Sequence, residues 1–442
     1  MYNLNQFISF LLIILPISLI TGPAIPDISV VISIFFLFFY LVYNKNITDL
    51  FTFGWFRLFI IFWVYLLVSS LFAYSTYHSI GESIIFLRFL LIPILIYFFL
   101  FDNESKSKLV FIVIFISIIF VIVDSLFQFF NYSSENGFQN DLLGYYPDFA
   151  PFNRLTGPFK DLVPGAYVSK FAFLGVVFFH IFIKQLKFRY YLIIFYLGIC
   201  GYLTFISGER MAFATFSLGI LIYVIFNKKF KRFSLSAAVI IMLLLIGFTI
   251  KIHPSYNDYV IKESSPIELG LIVEKKFKCN SKTDNICTKE VNFQPSFISV
   301  IKNFKKSAYG EIYSLALNMY KDNKLFGIGL NNFKKLCVEN IYYSNQLKNI
   351  SCVTHPHNYY LQWLIETGPI GLFIFIAIIF SIISYVIKKS QDHELKLISI
   401  IVFIILFWPI MSTGSLTKNW LGVSTFYILG IVIFLHRIKI RS

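Results

Sequence analysis

The chain has 442 residues, of which 57% are hydrophobic, 19% aromatic and only 14% charged, and its mean hydropathy is +0.73. Because roughly a quarter of residues are charged in ordinary soluble proteins, this composition excludes a water-soluble fold. The formal charge of +15 and the pI near 9.4 are poor evidence for nucleic-acid binding, since basic loops beside membrane spans give the same excess. We expect a lipid bilayer as partner and no nucleic acid.

Apolar runs of roughly 17 to 22 residues recur along the chain, and this length crosses the hydrocarbon core of a bilayer as an α-helix. We predict an all-α fold, a polytopic membrane helix bundle with about 12 transmembrane helices and one large structured outer loop. Residues 1–252 form an N-terminal bundle of about nine spans, 253–359 the loop with short helices, and 360–442 an interfacial segment, three spans and a tail. The predicted spans are Phe7–Thr21, Ser29–Tyr43, Trp55–Leu71, Ser83–Phe101, Leu109–Phe130, Pro164–Ile183, Tyr191–Ile206, Ala212–Phe226, Ser234–Ile252, Pro369–Ile387, Leu397–Met411 and Trp420–Leu435.

The distribution of Lys and Arg predicts the orientation, because basic residues in short loops are retained on the cytoplasmic side. The short connections of one set of alternate loops carry only four basic residues, Arg154, Lys160, Arg210 and Lys418, and this set is predicted to lie outside. Both termini are therefore predicted to be cytoplasmic, and the long loop lies outside. The cytoplasmic connections and the C-terminal tail carry Lys45, Lys106, Lys108, Lys184, Lys187, Arg189, Lys228, Lys229, Lys231, Arg232, Lys388, Lys389, Lys396, Arg437, Lys439 and Arg441.

Four of the five cysteines lie in the outer loop, and an even number outside the cytoplasm is typical of disulfides. Closeness in sequence predicts two local bonds, Cys279 with Cys287 and Cys337 with Cys352. A zinc site is the alternative, although no close pair with the spacing of zinc ligands is present.

Three predicted outward-facing segments contain polar residues that the topology does not explain. They are Asn153-Arg-Leu-Thr-Gly-Pro-Phe159, Ser207-Gly-Glu-Arg210 and Thr354-His-Pro-His-Asn358. If the bundle brings them together, they supply two arginines, a carboxylate and two histidines at the membrane boundary. We expect the chemistry at this place.

Arg154 and Arg210 suit an anionic ligand, because a guanidinium is always charged and its forked donors match phosphate oxygens. Interfacial anchoring, or an ion pair of Arg210 with Glu209, is the alternative. Arg210 is the stronger candidate, since it lies in a connection of only a few residues between spans, where charge is costly. Lys170, inside the sixth span, either faces the same site or extends its ammonium group to the membrane surface.

His355 and His357 are candidate bases near neutral pH, with polar anchoring or metal binding as alternatives. Pro356 between them predicts an extended backbone, on which the two rings can diverge. The following segment, Tyr359–Thr367, is aromatic and amphipathic enough to lie at the interface. Glu366 falls on the opposite face of a helix from His357, so we interpret it as structural.

The histidine segment belongs to a longer pattern, in which His357-Asn358 is followed by nine residues and then by Gly368-Pro-Ile-Gly371. This pattern resembles the signature of the O-antigen ligase and polymerase family of bacterial membrane glycosyltransferases. The resemblance extends to Arg154–Phe159, to Ser207–Arg210 and to Phe326-Gly-Ile-Gly-Leu-Asn-Asn-Phe333, in the same order and on the same predicted side.

The resemblance implies an inverting transfer from an undecaprenyl-pyrophosphate-linked glycan to a hydroxyl acceptor at the periplasmic face of the inner membrane, without a cofactor or metal. The acceptor is a sugar of the lipid A core in ligases and another lipid-linked glycan in polymerases. Carried over by position, His357 orients or deprotonates the acceptor, and Arg210 and Arg154 hold pyrophosphate. His355, Asn358, Glu209 and Lys170 are expected in supporting roles.

One feature departs from the family pattern, in which ligases often have a further arginine in the outer loop. Between His253 and Tyr359 this chain has lysines and no arginine. Lys321, Lys324, Lys334 or Lys335 can supply this charge as a point cation, without the bidentate fork of arginine, and we expect Lys334 and Lys335 to contact the donor pyrophosphate.

Three functions remain open at this point. O-antigen ligase is the first, a polymerase of the same fold the second, and a transporter or flippase of lipid-linked sugars the third. A transporter places polar residues at mid-membrane and often shows repeat symmetry. Here the candidate residues crowd one predicted face, which favours chemistry at the membrane surface.

Overall fold

The structure is a computed structural model, and helices make up most of the part that it describes. The described residues are 2–44, 50–133, 136–147, 154–159, 164–229, 235–257, 302–348, 350–410 and 414–438, together with the strands at 259–263, 271–277 and 287–293.

The N-terminal half is almost entirely helical in its described residues. Its elements are α1 (Tyr2–Ile13), α2 (Leu15–Ser18), α3 (Ala24–Asn44), α4 (Gly54–Ser70), α5 (Thr76–Phe99), α6 (Glu104–Phe130), a hairpin of β1 (Tyr132–Ser133) and β2 (Gly137–Phe138), α7 (Pro164–Phe182), α8 (Leu186–Ile206), α9 (Arg210–Phe226), α10 (Ala237–Ile252) and α11 (Pro254–Asn257).

The remaining elements belong to the large loop and the C-terminal part. They are β3 (Tyr259–Glu263), β4 (Leu271–Phe277), β5 (Cys287–Phe293), α12 (Ala308–Asp322), α13 (Phe333–Glu339), α14 (Ile341–Ser344), α15 (Tyr359–Lys389), α16 (His393–Leu406) and α17 (Asn419–Phe434).

Every predicted span overlaps a helix, but the count of about 12 transmembrane helices is not confirmed. Within the described residues, seven helices are long and apolar enough to cross a membrane. An eighth candidate is the pair formed by α1 and α2, which is bent by 49°. Pro16 explains this bend, because it lacks the backbone N–H and clashes with the preceding turn. The helices α4, α9 and α10 are apolar but shorter, and α16 has 14 residues.

The large loop contains the predicted short helices α12, α13 and α14 and also a small sheet, so the all-α prediction holds for the bundle and is incomplete for the loop. Strands β3, β4 and β5 form an antiparallel meander in which Leu271 pairs with Phe293 and Phe277 with Cys287. Helical periodicity predicted only helices in the loop, whereas the apolar run Leu271-Ile-Val273, which contains two β-branched residues, begins a strand.

Buried polar clusters connect helices that are distant in sequence. At the end of the bundle opposite the large loop, Glu394 is fully buried and accepts hydrogen bonds from Tyr190, Tyr223 and Asn227. These four residues join α8, α9 and α16, together with the residue that follows α9. A buried carboxylate is costly unless donors surround it, so this network fixes how the three helices pack.

A candidate active site at the loop end of the bundle

The segment that carries Arg154 is held against α6 by a buried glutamine. The side-chain amide oxygen Oε1 of Gln128 accepts hydrogen bonds from the backbone N–H groups of Thr156 (2.9 Å) and Gly157 (2.8 Å). Gly157 has φ +53° and lies so close to the Ser125 hydroxyl that a side chain would collide with it. Two backbone bonds and a required glycine therefore fix the position of Arg154 relative to α6.

The second motif forms the turn between α8 and α9. Gly208 has φ +74°, and its carbonyl oxygen lies 3.5 Å from Nη2 of Arg154. Burial raises the pKa of the Glu209 carboxyl, while the charges of Lys170 and Arg154 act in the opposite direction. The turn thus brings together the predicted residues Arg154, Glu209, Lys170 and Arg210.

The two histidines lie side by side, so the predicted divergence of their rings is wrong. The ring centroids of His355 and His357 are 4.3 Å apart. His357 has φ +55°, an uncommon conformation for a residue with a side chain, and this turns its ring back towards His355. The hydroxyl of Thr354 lies 2.7 Å from Nδ1 of His355, which fixes the orientation of that ring.

Asn358 anchors the histidine segment through both the oxygen and the nitrogen of its side-chain amide. Its amide oxygen caps α15 by accepting from the Leu361 N–H (3.1 Å), and its amide nitrogen donates to the Pro409 carbonyl (2.8 Å). The predicted supporting role of Asn358 is therefore structural support for the residue next to it, His357.

Tyr309 connects the histidines to the arginines and was missed by the sequence analysis. Its ring packs edge-on against His357 with the centroids 5.9 Å apart, and its hydroxyl is close enough to Arg210 to interact electrostatically. Arg154 also interacts electrostatically with Arg210. Because Tyr309 is the second residue of an ordinary amphipathic helix, α12, no local signal in the sequence distinguishes it.

The remaining predicted residues lie around this cluster. Nζ of Lys170 is 5.1 Å from the ring centroid of Trp420 and interacts with Glu209, so it points towards the turn between α8 and α9. Lys334 and Lys335 instead line a separate cavity, where Nζ of Lys335 donates to the Ser75 hydroxyl (3.0 Å).

The Gly368-Pro369 pair causes a break inside α15. Gly368 has φ +70° and ψ −176°, and Pro369 cannot donate the hydrogen bond that the Ile365 carbonyl would receive in a regular helix. The Ile365 carbonyl accepts instead from the N–H of Ile328 (2.8 Å). The predicted interfacial segment and the following span are thus two parts of one broken helix.

The Phe326–Phe333 motif completes this break. The N–H of Gly329 donates to the Glu366 carbonyl (2.9 Å), and the Tyr65 hydroxyl donates to the Thr367 carbonyl (2.7 Å). A side chain on Gly327 would collide with the Ile365 carbonyl, so only glycine allows the two backbones to meet. The motif therefore orients the start of α15, which carries the histidines.

Glu366 lies below the motif and outside the histidine cluster. Its side chain is fully buried, and Oε2 accepts from the Gln362 amide at 3.2 Å. The interpretation of Glu366 as structural agrees with these contacts. Among the described residues, no group of three or more His, Cys, Asp and Glu side chains forms an arrangement that could hold a metal ion.

The predicted disulfide between Cys337 and Cys352 is confirmed. It joins α13 to the segment that precedes the histidines. By closing a short loop, it reduces the conformational entropy of the unfolded chain and so stabilises the folded state. Cys200 is buried and free.

The other predicted disulfide stays a prediction, because Cys279 lies outside the described residues. We expect mass spectrometry of non-reduced peptides from periplasmically folded protein to recover Cys279 linked to Cys287. Peptides linking Cys279 to Cys337 or Cys352, or a free thiol at Cys279, would contradict this pairing.

The comparisons with known proteins agree with the motifs. No curated protein matches the chain. A protein-family model described as O-antigen ligase matches residues 193–376, a range that begins in α8 and includes Arg210, Tyr309 and both histidines. Together with the apolar helices, this match indicates a membrane glycosyltransferase of the O-antigen ligase and polymerase type. The chain therefore carries an O-antigen ligase domain, and the resemblance of its sequence to the O-antigen ligase and polymerase family is confirmed.

Proposed function

We propose that this protein is an O-antigen ligase, which transfers a glycan from undecaprenyl pyrophosphate to a hydroxyl group of the lipid A core. The observation that carries the proposal is the convergence of Arg154, Arg210, Tyr309 and His357 from four separate segments. The basic connections support an inner-membrane location with both termini cytoplasmic and this cluster facing the periplasm.

The arginines suit the leaving group of this reaction. Arg154 and Arg210 lie close enough for their like charges to interact unfavourably, and a pyrophosphate bound between them removes that repulsion. Each guanidinium can also donate two parallel hydrogen bonds to phosphate oxygens. As the bond between the sugar and pyrophosphate breaks, the leaving group gains negative charge, so the arginines stabilise the transition state more than the bound substrate.

His357 suits the acceptor side of the reaction. Its imidazole takes the proton of the acceptor hydroxyl while the acceptor oxygen forms a bond to the anomeric carbon of the donor sugar. The new bond forms on the face opposite pyrophosphate, so the configuration at that carbon inverts. Tyr309 and His355 both pack against the His357 ring and restrict its position.

The grouping of these residues at one end of the bundle also supports a transferase rather than a transporter, whose polar residues lie near mid-membrane. Deleting the gene and examining lipid-linked and lipid A-linked glycans tests the function. A ligase deletion leaves lipid A without O-antigen while full-length chains accumulate on undecaprenyl pyrophosphate.

Other outcomes of the deletion contradict the proposal in recognisable ways. If single repeat units still reach lipid A, the protein is a polymerase. If lipid-linked repeat units accumulate on the cytoplasmic face, it is a flippase. The wild-type gene supplied on a plasmid must restore the original glycan pattern, and the His357→Ala gene serves as the matched inactive control.

A further inference from the structure

A polar cavity lies next to the histidine segment and has no role in the proposed donor site. It has a volume of about 510 Å³ and opens to the surface of the protein. Its walls come from α5, from the Phe326–Phe333 motif with α13, from the segment before the histidines and from the residue before α17. The lining residues are His78, Glu82, Asn331, Lys334, Lys335, Val338, Glu339, Thr354 and Lys418.

Three lysines give this cavity a positive charge. Within the described part of the chain, Lys334, Lys335 and Lys418 form no salt bridge. Of the two lining carboxylates, Glu339 accepts a hydrogen bond from the Tyr74 hydroxyl (2.9 Å). Three lysines against two carboxylates, Glu82 and Glu339, leave the cavity with a net positive charge, which attracts an anion.

The walls of the cavity are held together by contacts that do not depend on a ligand. The Leu330 N–H donates to the buried Ser79 hydroxyl at 2.8 Å, and Lys335 donates to Ser75 at 3.0 Å, so α5 is joined to the motif and to α13. The disulfide between Cys337 and Cys352 fixes α13 to the segment containing Thr354. A cavity formed in advance binds with a smaller loss of conformational entropy.

A chain of contacts links the cavity to the arginines through the histidine pair. Thr354 lines the cavity and contacts His355, whose ring packs against His357. His357 also contacts Tyr309, which interacts electrostatically with Arg210. A base must lie between the donor and the acceptor that it deprotonates. With pyrophosphate at the arginines, the lysine cavity is left for the acceptor.

We propose that this lysine cavity binds an anionic group, phosphate or carboxylate, carried by the acceptor glycan. The lysines bind the charged group, while Glu82, Asn331 and Thr354 provide hydrogen-bonding atoms for sugar hydroxyls. The inference rests on the proposed function, because only a transferase has an acceptor. It assigns Lys334 and Lys335 to the acceptor instead of the donor pyrophosphate.

The test compares purified wild type with a variant carrying Lys334→Gln, Lys335→Gln and Lys418→Gln, in nanodiscs of phosphatidylcholine alone. Three acceptor glycans are used: one phosphorylated, one containing a uronic acid and one neutral. We measure the Kd of each acceptor by equilibrium binding, and KM and kcat for transfer. Lys302→Gln, Lys305→Gln and Lys348→Gln, combined in one protein, remove three exposed lysines of the same loop as a matched control.

We expect the cavity variant to raise the Kd and KM of both anionic acceptors by about tenfold or more, the effect of losing one charge-assisted hydrogen bond. The Kd and KM of the neutral acceptor, the KM of the donor and kcat are expected to change little. The control variant is expected to behave as wild type. Because binding is measured without turnover, a wild type that binds anionic acceptors through these lysines but transfers nothing would reject the proposed function alone.

Three results would overturn the inference. Equal weakening of neutral and anionic acceptors would mean that the lysines only maintain the shape of the cavity. A rise in the KM of the donor alone would mean that the lysines bind the donor pyrophosphate. If the variant differs from wild type only after anionic phospholipid is added to the nanodiscs, the cavity binds a lipid headgroup.

Discussion

Replacing His357 with alanine is expected to abolish detectable glycan transfer, whereas His355→Ala retains part of the activity. Loss of a general base typically costs on the order of 10²–10⁴ in rate. His357 contacts both Tyr309 and His355 and directly precedes Asn358, which caps α15 and bonds to Pro409. His355 bonds to Thr354 and packs against the His357 ring, which suits a supporting role.

The measurement is transfer by each variant in membranes that contain equal amounts of protein and an excess of lipid-linked donor. Neither histidine belongs to the apolar part of a span, so both variants are expected to insert and accumulate normally. Wild-type activity of the His357→Ala protein would refute the proposed mechanism. If His355→Ala alone were inactive, the two roles would be reversed.

Arg210→Lys is expected to lower transfer by about ten- to a hundredfold although the net charge is unchanged. Lysine offers a point charge where arginine offers a planar fork, so a bidentate contact with a phosphate becomes a single one. Losing one hydrogen bond to a charged group costs about 1.5–3 kcal/mol, and each 1.4 kcal/mol is about tenfold in rate. Arg210 is the first residue of α9, which fixes its backbone.

Arg154→Lys is the matched control for this experiment, because it makes the same chemical change on the other side of the proposed pyrophosphate site. We expect a smaller loss, since Nη2 of Arg154 already lies 3.5 Å from the Gly208 carbonyl oxygen, which leaves fewer of its donors for a phosphate. The rates are compared at equal membrane abundance and saturating acceptor. Near-normal transfer by Arg210→Lys would reduce Arg210 to an interfacial anchor.

The sequence by itself determined the features that depend on local composition. Apolar runs long enough to span a bilayer became helices, since a chain in lipid must satisfy its backbone hydrogen bonds internally. The bond between Cys337 and Cys352 followed from closeness in sequence, and the motifs around Arg154, Arg210 and His357 were visible as polar residues at the ends of spans.

Only the tertiary structure decided how these segments meet. Tyr309 is an ordinary residue of an amphipathic helix until folding places it between His357 and Arg210. The histidine rings face each other because His357 has a positive φ, which Pro356 in the sequence did not predict. The contacts that hold the Phe326–Phe333 motif to α15 are equally invisible locally.

The lysine cavity shows why the sequence predicted the charges but not their location in the folded protein. Lys334 and Lys335 were predicted to contact pyrophosphate because the sequence showed only their charge. Their location is fixed by bonds from their segment to Ser75 and Ser79, more than 200 residues earlier in the chain. Local sequence determines which residues form a helix or carry a charge, whereas packing between distant segments determines which of those charges face the same ligand.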